Sequence, residues 1–262
     1  MPTADAVPTA EPVVHYAVDR AIATITLDSP HNRNALSRAL VTELGEHLAT
    51  AAADDAVRAV LLTHTGTTFC AGADLREQAA EGGPEQGTKR MLALLAQLID
   101  LAKPVVARID GNVRAGGLGI AGACDIAIAG TSSSFAFTEV RLGLAPAIIS
   151  LTTLGRMTER AAARYYLTGE TFDAVAAAAS GLITSAATDL DAAVDAVLDA
   201  LRLASPQGLA ETKPLTTRAA RAAFDAHAEH MQQLSARLFG SDDAREGITA
   251  FLEKRPPRWA GQ

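Results

Sequence analysis

Two glycine-containing stretches could form a site built from backbone N–H groups. The first is FCAGADL at residues 69–75, and the second is RAGGLGIAGACDIAIAG at residues 114–130. Small residues leave backbone N–H groups open to a ligand, and a helix N-terminus adds unpaired donors and the positive end of its dipole. Two such donors facing each other would make an oxyanion hole, although either stretch alone could equally be a structural turn beside a sheet.

The second stretch brings no group that could move a proton. Between Arg114 and Cys124 there is no carboxylate, no histidine and no hydroxyl. Its glycines fit neither the G-x-G-x-x-G dinucleotide motif after a first strand nor the G-x-x-x-x-G-K-[ST] phosphate loop. An acid or base must therefore come from another part of the chain.

The histidines, serines and cysteines form no metal or nucleophile motif. His227 and His230 could share one helix face, but no third residue with ligand spacing accompanies them. No serine lies in a nucleophile elbow. Cys70 and Cys124 lie in apolar stretches, so we interpret them as buried free thiols and expect a cytoplasmic protein with no bound metal.

Alternating strands and helices must position the glycine stretches. VVHYAV and AIATITLD predict a β-hairpin around Asp19 and Arg20, and Ser37 is placed to cap a helix from about Arg38 to Ala53. RAVLLTH, VVARID and DIAIA read as buried strands, the first two followed by glycine-containing loops. This pattern predicts an α/β fold with parallel strands, and from about residue 155 the sequence reads as mostly helical.

The charge and hydropathy of the chain argue against several classes of protein. With 23 basic and 30 acidic residues the net charge is −7, whereas nucleic-acid binders normally have a basic excess. The first twelve residues have neither the basic nor the apolar region of a signal peptide, and no apolar run reaches the length of a membrane span. We expect no nucleic-acid partner and no membrane partner.

Three blocks in this order resemble the enoyl-CoA hydratase/isomerase family, the crotonase superfamily: FCAGADL, DGNVRAGGLGIAGACDIAIA and FAFTEVRLGLAP. The resemblance extends from about residue 13 through SPHNRNALS, PQGLAETK and EGITAFLEKRPPRW. It implies a crotonase spiral of ββα turns over 13–200 and a helical C-terminal trimerisation region over 201–262. It also implies a homotrimer or a hexamer built as a dimer of trimers. Residues 1–12, which contain acidic residues and prolines, are interpreted as a disordered tail.

The resemblance assigns roles to four residues of the candidate site. Coenzyme A would enter as part of an acyl-CoA substrate, with no separate cofactor. The thioester carbonyl would lie between the N–H groups of Ala73 and Gly116. In two-carboxylate hydratases one glutamate matches Glu139, but the other matches Gly119, so a single carboxylate remains. In an apolar pocket its pKa should be raised, which suits acid–base chemistry.

A single glutamate leaves several functions open. Glu139 could take a proton from water and return it to carbon, which gives an enoyl-CoA hydratase. It could instead shuttle a proton between carbons, which gives an enoyl-CoA delta-isomerase, or Asp110 could replace the missing acid. The chain could also be a non-catalytic acyl-CoA-binding paralogue, and Glu139 could be a solvated carboxylate or a partner of Arg141.

The amino-acid sequence of these blocks is most similar to that of bacterial hydratases that act on methylglutaconyl-CoA in leucine degradation and that can lack the first glutamate. Room left by Gly119 would admit a branched acyl group. Pro146, Ile148 and Ile149 would place bulkier side chains near that pocket than the glycine-rich segment of common fatty-acid hydratases.

Coenzyme A needs cations and backbone donors for its phosphates. The residues that match family positions near the nucleotide are Arg33, Arg76, Phe251 and Lys254, each of which could instead be a surface cation or a packing residue. The remaining predicted substrate contacts in the two glycine stretches and the early loop are Ala35, Ala71, Asp74, Leu75 and Gly117.

Overall fold

The computed structural model describes residues 11–80 and 85–261. The tail predicted over 1–12 therefore lies almost wholly outside the described residues. The strands are β1 (Val14–Asp19), β2 (Ile22–Leu27), β3 (Ala59–His64), β4 (Thr68–Cys70), β5 (Val105–Ile109), β6 (Asn112–Arg114), β7 (Ile126–Gly130), β8 (Ser134–Ala136), β9 (Phe172–Asp173) and β10 (Ser185–Ala187). The helices are α1 (Arg38–Ala53), α2 (Leu75–Ala80), α3 (Glu85–Asp100), α4 (Gly116–Ala123), α5 (Ala147–Thr153), α6 (Glu159–Thr168), α7 (Ala174–Ser180), α8 (Leu190–Leu203), α9 (Pro206–Phe239) and α10 (Asp242–Leu252).

The strands form two sheets. The larger has the order β1-β2-β3-β5-β7-β10, in which β1 and β2 form the predicted antiparallel hairpin and the other pairs are parallel. The smaller has the order β4-β6-β8-β9, and its first three strands are parallel. The pairs β3–β4, β5–β6 and β7–β8 each contribute one strand to each sheet and are each followed by helices. The predicted α/β spiral of ββα turns is confirmed.

Helix α1 shows how local sequence builds the core. The Ser37 hydroxyl accepts a hydrogen bond from the Leu40 N–H and caps the helix as predicted. Leu40, Leu44 and Leu48 repeat at helical spacing and are fully buried against the larger sheet. Burial of this apolar stripe, rather than helix propensity alone, holds α1 in place.

One strand of the larger sheet is missing from the sequence prediction. Residues after 155 were expected to be mostly helical, but β10 pairs in parallel with β7, with Ser185 opposite Ile128. The strand is three residues long and reads Ser-Ala-Ala, without the β-branched or aromatic residues that mark strands. Its position is fixed by pairing with a distant strand and not by its own composition.

Helix α9 is fastened to the core by a buried ion pair. The Lys213 ammonium lies 2.8 Å from the Asp125 carboxylate and donates to the carbonyl oxygens of Leu98 at 2.8 Å and Lys103 at 3.1 Å. These partners satisfy all three donors of the ammonium group.

Among the described residues, no helix is both long and apolar enough to cross a membrane.

Candidate active site

The two glycine stretches meet at the ends of β4 and β6. A Cβ built on Gly72 would lie 2.8 Å from the Ala115 Cβ and 3.4 Å from the Gly116 nitrogen. A Cβ on Gly116 would lie 3.7 Å from the Gly72 Cα. The structure therefore brings the segment before Ala73 and the first residue of α4 face to face, and only glycine at 72 permits this approach.

The backbone N–H groups of Ala73 and Gly116 are free to receive a ligand. Neither donates a hydrogen bond within residues 11–80 and 85–261. Gly116 is the first residue of α4, where the N–H groups have no partner inside the helix. Two backbone donors without a partner among the described residues therefore lie near each other at the ends of β4 and β6.

Ala115 has a strained backbone immediately before α4. Its φ of 46° and ψ of −117° lie outside the regions that residues with a Cβ normally adopt. The conformation is held because the Ala115 N–H donates to the Ala136 carbonyl and its own carbonyl accepts from the Leu118 N–H. Such strain persists where surrounding structure dictates it, and it concentrates at functional sites.

The loop between β2 and α1 supports the first glycine stretch through Asn34. The buried Asn34 side chain accepts from the Ser29 N–H at 2.7 Å and donates to the carbonyls of Thr65 at 3.1 Å and Thr68 at 2.7 Å. The Leu36 N–H then donates to the Gly72 carbonyl. Asn34 is not among the predicted site residues, although an asparagine beside Arg33 favours the left-handed backbone conformation that both residues adopt.

Glu139 is buried, and one oxygen of its carboxyl group has no hydrogen-bond partner within the described residues. It begins a 3-10 turn, Glu139–Leu142, directly after β8, and only 9% of the residue is exposed. Its Oε2 atom has no hydrogen-bond partner within the described residues. Loss of water around the carboxyl raises its pKa to about 7, although a hydrogen bond from its own backbone N–H opposes the shift.

The surroundings of Glu139 disagree with both non-catalytic interpretations of this residue, namely a solvated carboxylate and a partner of Arg141. It is not solvated, and Arg141 turns away so that its Nε donates to the Thr168 carbonyl at 3.3 Å. Glu139 lies three residues after Ala136, whose carbonyl accepts a hydrogen bond from the Ala115 N–H just before Gly116. The buried carboxyl thus follows the same strand end that positions α4.

An aromatic and hydroxyl cluster lies beside Glu139. The rings of Phe137 and Tyr166 are 4.3 Å apart, and the Tyr166 hydroxyl lies 2.5 Å from the Thr153 hydroxyl. Thr153 donates to the Ile149 carbonyl, so Tyr166 donates to Thr153. Burial raises the pKa of Tyr166, and the charge of Glu139 adds to the shift. Tyr166 therefore stays neutral, and the sequence carried no motif that would have identified it.

The space beside Gly119 is filled, which corrects the expectation of extra room there. A Cβ on Gly119 would lie 2.5 Å from the Ile149 Cγ2 and 3.3 Å from the Met91 Cε. Ile149 comes from α5 and Met91 from α3, so neither contact is local in sequence. Ile148 and Pro146 are also buried. A carboxylate at 119 could not enter unless Ile149 moved.

The alternative acid, Asp110, faces another part of the molecule. Its Oδ2 lies 3.7 Å from an Arg108 nitrogen, and its side chain is 53% exposed. Arg108 also pairs with Asp191 at the start of α8. Within the described residues Asp110 has no contact with Glu139 or Gly119, so it does not supply a second acid in this arrangement.

Comparison with known proteins identifies the family. The family model for enoyl-CoA hydratase/isomerase matches residues 17–262. The chain belongs to this family. A crystal structure of an enoyl-CoA hydratase from Mycobacterium avium has 55% sequence identity and a TM-score of 0.88, covering 94% of this chain and 98% of that one. The resemblance inferred from the sequence is confirmed for the family, but not for methylglutaconyl-type hydratases.

More distant family members are named for different acyl groups. The 2,3-dehydroadipyl-CoA hydratase of Escherichia coli K12 is 32% identical over 248 residues, which is 91% of this chain and 94% of the relative. The structure of a carnitinyl-CoA hydratase from M. avium is 29% identical with a TM-score of 0.83, covering 96% of this chain and 99% of that one. Family membership makes this chain an enzyme of enoyl-CoA thioesters, and the acyl group is a separate question.

Two of the residues predicted to contact coenzyme A, Asp74 and Gly117, also stabilise the local structure. Asp74 caps α2, because its carboxylate accepts the N–H groups of Arg76 and Glu77, and it also accepts from Asn32. Gly117 lets α4 approach β4, since a Cβ there would lie 2.8 Å from the Cys70 Cβ. Burial raises the pKa of the Cys70 thiol to about 12, so it stays protonated.

The other predicted contacts divide into two groups. Arg33, Ala35, Ala71, Leu75 and Arg76 lie beside the glycine stretches, with Ala71 donating to the Arg33 carbonyl and Leu75 starting α2. Arg33 and Arg76 are exposed. Phe251 and Lys254 lie at the end of α10, and Phe251 is 52% exposed. No contact joins the second group to the glycine stretches within the described chain.

The buried Glu139 predicts how stability depends on pH. Its pKa is raised from 4.5 to about 7 on folding, so its stabilising contribution is complete below pH 4.5 and is lost as the pH rises through 7. We expect the free energy of unfolding of the wild type, relative to Glu139→Gln, to fall by about 3 kcal/mol over this range. Urea denaturation of both proteins between pH 4 and pH 8 checks this expectation. A pH-independent difference would contradict it.

Proposed function

We propose that this family member hydrates the 2,3 double bond of an enoyl-CoA thioester with one carboxylate, Glu139. The observation that carries the proposal is the buried Glu139 carboxyl, whose Oε2 atom has no hydrogen-bond partner among the described residues and whose pKa is about 7. Glu139 lies three residues after Ala136, which accepts a hydrogen bond from the Ala115 N–H. A group with this pKa can accept and release a proton near neutral pH. The facing Ala73 and Gly116 amides are the proposed oxyanion hole.

The proposed reaction balances with one acid–base group. Ionised Glu139 accepts a proton from water as the water oxygen forms a bond with Cβ of the substrate. The π electrons move toward the thioester carbonyl, and the two amide N–H groups stabilise the developing enolate oxygen. Protonated Glu139 then returns its proton to Cα, which leaves a 3-hydroxyacyl-CoA and an ionised glutamate.

Delta-isomerisation is the second candidate, and the filled space at Gly119 favours it. Position 119 holds a glycine with Ile149 packed against it, so no carboxylate acts from the position where two-carboxylate hydratases have their first glutamate. Moving a double bond needs one base that takes a proton from C4 and returns it to C2, or the reverse. The same oxyanion hole would stabilise the dienolate between the two steps.

The acyl group and the assembly remain proposals. A branched, methylglutaconyl-like acyl group is supported by the amino-acid sequence of the three blocks, which resembles that of hydratases acting on such substrates. The apolar side chains of Leu36, Met91 and Ile149 around Gly116 and Gly119 would suit the hydrocarbon part of such a substrate. A homotrimer or hexamer is supported by the family resemblance, and sedimentation analysis of the purified protein would test it.

Product analysis distinguishes the candidate functions. Purified protein is incubated with crotonyl-CoA, 3-methylglutaconyl-CoA and a 3-enoyl-CoA, while the conjugated enoyl absorbance and the product masses are followed. Hydratase activity predicts loss of absorbance and a product heavier by one water. Gain of absorbance from the 3-enoyl-CoA without a mass change would instead establish an isomerase. Binding without turnover of all three thioesters would indicate a non-catalytic paralogue.

A further inference from the structure

Helix α10 contacts the turn that carries Glu139 through backbone atoms. A Cβ built on Gly247 would lie 2.5 Å from the Leu142 carbonyl carbon, 2.6 Å from its oxygen and 2.7 Å from its Cα. Leu142 is the last residue of the 3-10 turn. No side chain separates the helix from the turn at this point, so the position of one fixes the position of the other.

A second close contact lies on the other side of the same joint. A Cβ on Gly143 would lie 2.5 Å from the Asp243 carbonyl carbon and 2.8 Å from the Ala244 nitrogen. Gly143 also has a φ of 72°, which favours glycine. Ala244 is fully buried between the two contacts. Gly247 and Ala244 on α10, together with Gly143 at the end of the turn, therefore allow the backbones of the helix and the turn to contact each other directly.

The turn transmits this position to the carboxyl-bearing residue. The Leu144 N–H donates to the Glu139 carbonyl at 2.9 Å, and the Gly143 N–H donates to the Val140 carbonyl at 3.4 Å. These bonds close the segment between Glu139 and Leu144 into one compact unit. A displacement of Leu142 must therefore move Glu139 or break the turn.

Helix α10 is itself fixed by its ends. Ser241 caps its first turn by accepting from the Ala244 N–H. Beyond its last turn, Arg255 binds both carboxylate oxygens of Glu246, at 2.7 and 3.0 Å, and Arg258 binds Asp243. Exposed ion pairs contribute little stability individually, but this bidentate geometry returns the following segment onto the helix.

We propose that Gly247 is a positioning residue for Glu139: through Leu142, α10 holds the carboxyl in its buried place. The inference rests on the proposed function, in which Glu139 is the catalytic acid and base. Misplacement of a reacting group by about 1 Å can lower a rate about 100-fold. A methyl group at 247 would force a displacement of similar size, because the atoms that it meets belong to the backbone.

The test is Gly247→Ala, with Gly155→Ala as the matched control because a Cβ at 155 meets no atom within 4 Å. We expect Gly247→Ala to lower kcat for enoyl-CoA turnover by about 10- to 100-fold with a smaller change in KM. We also expect the acidic midpoint of kcat/KM to move below its wild-type value, because the displaced carboxyl gains water. Gly155→Ala should match the wild type in both measurements.

Kinetics equal to those of Gly155→Ala, with an unchanged pH midpoint, would overturn the proposal. If Gly247→Ala does not fold, as judged by circular dichroism, Ala244→Gly tests the same joint by loosening it. That variant should lower kcat and shift the midpoint in the same direction, and wild-type kinetics would overturn the proposal. Glu139→Gln is measured in parallel: full activity there means that the proposed function has failed, independently of α10.

Discussion

Replacing Glu139 with glutamine is expected to lower kcat for enoyl-CoA turnover by about 10²- to 10⁴-fold. Glutamine has nearly the same size as glutamate, but its neutral amide cannot accept a proton from water and return it to carbon. Because Glu139 is buried and Oε2 has no partner to lose, the neutral amide should leave the surrounding packing intact. The measurement is steady-state turnover of the substrate identified by product analysis, with KM determined separately.

The matched control for this substitution is Glu159→Gln. Glu159 lies in the first turn of α6 and is exposed, so the same chemical change there should leave kcat unchanged. Substrate binding by Glu139→Gln should remain close to that of the wild type, since in the proposed mechanism the Ala73 and Gly116 amides, and not the carboxyl, hold the thioester. A decrease of less than about tenfold would be too small for a general acid–base group and would contradict the assigned role.

Placing a glutamate at position 119 is expected to destabilise the protein by about 3 kcal/mol, the upper end of the range for overpacked cores. The Cβ alone would meet the Ile149 Cγ2 at 2.5 Å, and the rest of the side chain would bring a carboxyl into an apolar region. Urea denaturation of Gly119→Glu against the wild type gives the difference directly. The control is Gly155→Glu, where the new side chain enters open space.

Removing the obstacle should relieve the clash at position 119, although the loss of the buried Ile149 side chain has a cost of its own. In the double variant Gly119→Glu, Ile149→Gly, both Ile149 atoms that crowd the new Cβ are gone. We expect a favourable interaction energy of about 1–3 kcal/mol in the double-mutant cycle, as for residues in direct contact. Additive effects of the two substitutions would show that Ile149 is not what excludes a side chain at position 119.

The sequence predicts the elements whose signals are local. Ser37 caps α1 where expected, and the repeat of Leu40, Leu44 and Leu48 forms the buried stripe of that helix. The glycine stretches also lie where the alternation of strands and helices puts them. These features depend on residues within a few positions of one another, so periodicity and capping rules are sufficient to predict them.

The features that the sequence does not reveal depend on distant residues. Strand β10 exists because β7 offers it a sheet edge, and Gly119 is crowded because α5 and α3 bring Ile149 and Met91 over it. The expectation of extra room at Gly119 was reasonable for one residue considered alone. It was wrong because the size of a cavity is a property of all the side chains around it.

Helix α10 also has a consequence for the order in which the enzyme is made. The Glu139 turn leaves the ribosome long before Gly247 and Ala244, yet those residues seat it. Spiral turns that fold during synthesis would therefore carry Glu139, the proposed catalytic residue, without its final support. We expect the nascent chain to be inactive until its last helix docks, so that a truncated or stalled product does not process acyl-CoA prematurely.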